Sequence, residues 1–148
     1  MTVDRQTLTE SLRAALSDSQ LSQADFAKAL GTSGSRLSTY LSGSTVPGAV
    51  FYLRAIRLGA ALGAAKAHNW MSPMSTARAV ACELAAGDET WALRMALQGR
   101  DHLRSMFELD PRAAASWELR PGTTGSDAWD RLLAAVTANE FEAHGQAP

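Results

Sequence analysis

The sequence predicts an all-α protein in two parts, and three observations carry that reading. Apolar residues recur at intervals of three and four along most of the 148 residues. Alternating runs of the strand type are nearly absent. Where the helical period lapses, a glycine, a proline or a capping Ser or Asp stands in the gap. The expected arrangement is four to five helices in residues 1–66, followed by a smaller helical domain in residues 67–148.

The elements follow in order. Leu8, Leu12, Ala15 and Leu16 lie on one face of a first helix, and Asp18-Ser19-Gln20 interrupts it. Ser22 caps a short second helix with Phe26, Ala27 and Leu30 on its inner face, and Gly31 ends it. Residues 31–45, GTSGSRLSTYLSGST, contain eleven Gly, Ser or Thr in fifteen positions, the composition of a flexible linker. Leu37 and Tyr40, three apart, instead predict a third helix that buries both, begins at Ser33 and closes at Gly43. A fourth helix follows Val46-Pro47-Gly48, with Val50, Leu53, Ile56 and Leu62 facing inward and Gly63 as its end. Residues 64–74 read as a connector broken at Pro73. Ser75 is then expected to cap a helix buried through Ala77, Val80, Ala81 and Leu84, ending at Gly87. Asp88 opens a helix with Ala92, Met95, Ala96, Gly99, Leu103 and Met106 on one face. Gly99 costs that helix about 1 kcal/mol relative to Ala, so a close neighbour is expected there. Residues 108–125 read as irregular. Ser126 caps a last helix packed through Trp129, Leu132, Leu133 and Val136, with Asp127 and Asp130 decorating its first turn.

Composition and charge narrow the function. With 46% hydrophobic and 20% charged residues the chain is expected to fold rather than stay disordered. No apolar run reaches bilayer length and the N-terminus lacks a signal-peptide pattern, so no membrane association is expected. Cys82 is the only cysteine, which excludes an internal disulfide, fits the cytoplasm and reads as a small core residue. Residues 1–66 carry seven basic against four acidic side chains, and residues 67–148 carry seven against eleven, so the halves are suited to different tasks. His68, His102 and His144 show no metal-ligand spacing, and no cofactor motif is present. No glycine-flanked nucleophile appears, which argues against an enzyme. The four tryptophans are scattered and read as packing residues. The arginines of residues 78–131 alternate with acids, as on a solvated helix face.

Residues 21–43, LSQADFAKALGTSGSRLSTYLSG, meet several independent requirements of a helix-turn-helix. Ala27 is the small residue where two helices cross, Gly31 follows four later as a turn residue able to take positive φ, and Ser33 caps the second helix. Phe26, Leu30, Leu37 and Tyr40 supply a miniature core. Together with VPGAVFYLRAIRLGAALG, these stretches resemble the phage repressor and Cro-like family, also called the xenobiotic response element family, over residues 7–63. The resemblance implies a repressor-like bundle whose third helix, about residues 33–42, enters the major groove of double-stranded DNA. It also implies that Gly34, Ser35 and Thr39 meet base edges, while Ser33 and Gln23 bind phosphate and brace the helix start. Ser38 and Arg36 complete the exposed face, and Arg36 suits either a guanine edge or a phosphate.

Two positions depart from the family pattern. Gly34 has no side chain where relatives carry a long polar one. Leu41 replaces a common acid and is expected to pack on the fourth helix or join a contact surface. The expected function is a sequence-specific transcriptional regulator, a repressor acting as a homodimer, with Lys28, Arg54 or Arg57 adding phosphate contacts. The alternative is an antitoxin or adaptor that binds a protein partner through residues 75–144.

Overall fold

The computed structural model describes residues 2–146, in which seven α-helices and one 3-10 helix, but no strand, are found. The helices are α1 Val3–Ser19, α2 Gln23–Leu30, α3 Gly34–Ser42, α4 Ala49–Ala67, α5 Pro73–Ala85, α6 Glu89–Leu109 and α7 Asp127–Ala143. The 3-10 helix spans Pro111–Glu118, between α6 and α7. The chain divides into two compact units between Gly63 and Ala64, within α4. The sequence reading places its boundary three residues later.

In the first unit α1 packs on α2 and α3. Leu12, Phe26, Leu37 and Leu58 are fully buried there, and each such side chain contributes roughly 1.5–3 kcal/mol by leaving water. Two expectations for this core change. Leu41, rather than Tyr40, joins Leu37 inside: i+3 and i+4 both share the face of Leu37, and packing against the rest of the unit selects the second. Tyr40 is half-buried with its ring 5.2 Å from that of Phe51. On α4 the expected inner face is largely outside: Val50 is 82% and Leu53 64% exposed, and Ile56 is half-buried. Leu62 is buried as expected, but Ala55, Leu58 and Ala61 take the other inward positions. The reason is close approach, since a Cβ on Gly59 would stand 2.6 Å from the Ala15 carbonyl oxygen of α1. Small residues must face that crossing. The helix also continues past Gly63 to Ala67.

The second unit is built around α6, against which α5, the 3-10 helix and α7 pack. Ser72, not Ser75, caps α5; its Oγ accepts from Ser75 N at 3.1 Å, and Ser75 Oγ accepts from Ser72 N. Pro73 is therefore the first helical residue, where a missing N–H costs nothing, rather than a breaker. Gly99 lies at a close crossing as expected, for a Cβ there would meet Thr76 Oγ1 at 2.6 Å and Trp117 at 3.0 Å. Residues 108–125 are less irregular than expected. Their 3-10 helix buries Ala113, Ala114, Ser116 and Trp117 beside Leu103, Met106 and Phe141.

Other side chains depart from expectation in the same unit. Cys82 is exposed rather than in the core, and Leu132 is exposed while Leu133 is buried. Trp117 is buried and Trp91 exposed. Arg104 does not lie on a purely solvated face, since its guanidinium donates to Glu140, which is 2% exposed. Asp130 ties down the preceding loop by accepting from Thr124 N at 2.7 Å, Thr124 Oγ1 and Thr123 Oγ1. Those bonds hold its carboxyl below the ordinary value. The loop before α5 is clasped at Met71, whose N–H donates to His102 Nδ1 and whose carbonyl accepts from Trp117 Nε1.

Candidate nucleic-acid interface

The interface starts from the N-termini of two consecutive helices, α2 and α3. Ser22 caps α2 by accepting from Asp25 N at 3.1 Å, which leaves Gln23 exposed at the first helical position. Ser33 caps α3 in the same way, accepting from Arg36 N at 3.1 Å. A capping hydroxyl used as an acceptor still has its own hydrogen to donate, and the helix end adds a partial positive charge. The N-terminus of α3 is thus equipped for a phosphate oxygen.

The turn that sets the angle between α2 and α3 has a local cause. Gly31 sits at φ +74, a conformation L side chains rarely adopt. Its N–H donates to Lys28 O, and Thr32 N–H donates to Ala27 O at 3.0 Å, closing α2 in a Schellman pair. Ala27, buried beneath the turn, lets the second helix approach.

On α3 the buried positions leave a defined outer surface. Ser33, Gly34, Ser35, Arg36 and Ser38 are exposed, and Thr39 is half-buried. Thr39 Oγ1 donates to Arg36 O at 2.7 Å, so toward a ligand it is left with a methyl group and acceptor lone pairs. Gly34 faces open space, for a Cβ there would meet nothing within 4 Å. Packing does not require glycine at that position. The nine residues of α3 span about 13 Å, and its short side chains fit a groove about 12 Å wide.

Two arginines that charge counting would assign to DNA are engaged inside the unit. Arg13 Nε donates to Leu41 O at 2.9 Å, and Arg5 donates to Ser44 O at 3.1 Å. Arg13 satisfies a carbonyl in the last turn of α3 and Arg5 one just past its C-cap, where a cation also complements the helix dipole. Sequence reasoning missed this bracing because the acceptors are backbone atoms distant in the chain. Lys28, Arg36, Arg54 and Arg57 are exposed.

This arrangement of a capped second helix, glycine turn and outward short-side-chain face agrees with comparison to known families. Residues 7–70 match the helix-turn-helix domain family. The match takes in α1 from Thr7 onward and the whole of α2, α3 and α4. No curated protein and no solved structure matches the chain. A helix-turn-helix domain implies binding to DNA and is typical of regulators that are not enzymes. Among the described residues no helix is long and apolar enough to cross a membrane, and no group of three or more His, Cys, Asp or Glu is placed to hold a metal ion.

Proposed function

We propose that this chain is a sequence-specific DNA-binding transcriptional regulator of the phage repressor and Cro-like kind, acting as a repressor. The observation that carries the reading is the outward face of α3, where Ser35, Arg36 and Ser38 stand exposed beside the capping Ser33. Gly34, Ser35 and Thr39 meet base edges in this reading; Gln23 and Ser33 hold phosphates. Arg36 takes a guanine edge or a phosphate, the two roles a guanidinium fills best. With seven basic against four acidic side chains in residues 1–66, one copy binds modestly, and a homodimer on a palindromic operator supplies the rest. Its half-sites then lie about 10 base pairs, or roughly 34 Å, apart.

Selection of bound duplexes from a random library tests this reading. A shared palindromic motif is expected, and absence of enrichment overturns it. Two variants then define the readout. Arg36→Ala is expected to weaken binding by about 1–3 kcal/mol, with relaxed preference at one position if it reads guanine and uniform weakening if it holds phosphate. Gly34→Gln faces open space, so it is expected to keep the wild-type Tm while altering base preference near its position. Unchanged affinity and preference in both variants remove α3 as the reading helix.

A further inference from the structure

The second unit contains a small cavity of about 120 Å³ between α5, the 3-10 helix and α7. Its floor is formed by Thr76, Trp117 and Leu133, all buried, and its mouth by Ala134, Thr137 and Ala138 on α7. Ala134 is exposed and Ala138 half-buried, so the opening is bordered by the smallest side chains available to a helix.

The chemistry of the lining restricts what fits. Among the described residues no charged side chain borders the cavity. Each side-chain donor around it is engaged elsewhere: Thr76 Oγ1 donates to Ser72 O at 2.8 Å, Thr137 Oγ1 to Leu133 O at 2.8 Å, and Trp117 Nε1 to Met71 O at 3.0 Å. An ion would lose hydration without replacement, and a ligand acceptor would find no side-chain donor. A neutral apolar ring meets neither penalty. Enclosed apolar cavities of about 150 Å³ take up benzene; this one is open on one side and of comparable volume, enough for a single ring.

The cavity is also held in place. Thr76 and Trp117 both press on Gly99, where a Cβ would approach them to 2.6 and 3.0 Å. The floor therefore cannot sink toward α6 to close the space. We infer that the second unit binds a small, uncharged, apolar molecule of single-ring size in this cavity. The site is independent of the DNA reading, since it lies wholly within residues 73–138.

The test uses the full chain with toluene as probe and benzoate as the charged control, followed by methyl NMR. Toluene is expected to shift the Leu133, Ala134 and Ala138 methyl signals saturably, while benzoate leaves them unmoved. Ala138→Leu, which fills the mouth, is expected to weaken toluene binding about tenfold or more. Ala134→Leu serves the same purpose if the first variant does not fold. The inference is overturned if those methyl signals stay unmoved up to the solubility of toluene, if benzoate shifts them equally, or if a folded filled variant binds toluene as well as wild type.

Discussion

At the scale of single residues, His102 shows how a half-buried acceptor limits pH tolerance. Its Nδ1 accepts the Met71 N–H at 2.8 Å, which requires that nitrogen to be unprotonated. Burial lowers its pKa, with Asp101 opposing. Because the folded value lies below the ordinary one, the unfolded chain binds more protons between the two. Stability from this site is full above about pH 6.5 and is lost as pH falls through the folded value. Wild type is therefore expected to lose more Tm than His102→Asn between about pH 7.5 and about pH 5, as followed by circular dichroism. Equal losses in the two proteins would assign the acid sensitivity to other groups. Nothing in the sequence around His102 signals this role, since its partner is a backbone amide 31 residues away. The caps were legible by contrast, because Ser22, Ser33, Asp88 and Ser126 act on N–H groups three residues ahead.

At the scale of elements, α4 and α5 show what pattern reading can and cannot resolve. The α4 segment AVFYLRAIRLGAALGAAKA is apolar almost all round, so periodicity does not select a face. Selection is steric. The helix turns its Ala and Gly side toward α1, leaving Val50 and Leu53 outside. Gly59→Ala is expected to destabilise the fold by about 1–3 kcal/mol, because its Cβ would meet backbone at 2.6 Å rather than a movable side chain. Urea denaturation measures this, and an unchanged midpoint would mean that α1 and α4 separate without cost. On α5 the pattern makes Pro73 a stop where the structure makes it a start. Both positions suit proline, and only the Ser72–Ser75 capping box decides between them. The 3-10 helix was not legible at all. Its i+3 period is short, and the burial of Ala113, Ala114 and Trp117 depends on side chains from α4, α6 and α7.

At the scale of the whole molecule, charge divides the chain as the sequence indicated, yet the usable charge is smaller than a count suggests. Arg5 and Arg13 serve carbonyls at and just past the end of α3, and Lys28, Arg36, Arg54 and Arg57 are exposed. If those four meet phosphates, the log–log dependence of DNA affinity on salt has a slope of about −4 or shallower per bound copy. Titrations across salt concentrations measure it. A slope of about −6 would mean that further cations, from either unit, reach the DNA. A shallow slope also agrees with a recognition surface made mostly of hydroxyls and helix ends, whose dipoles release few counterions.

Local chemistry determined what the sequence could tell by itself: the all-α class, the seven α-helices of the described residues nearly in place, and the helix-turn-helix. The glycine-rich stretch at residues 31–45 was legible as a turn and helix because its caps, its buried leucine and Gly31 all act within a few residues. Tertiary structure alone decided which faces turn inward on α4, that Leu41 and not Tyr40 closes the core, that two arginines brace α3, and that a ring-sized space opens beneath α7. Those outcomes depend on distances between residues far apart in the chain, and a hydrophobic period carries no information about which partner comes closest.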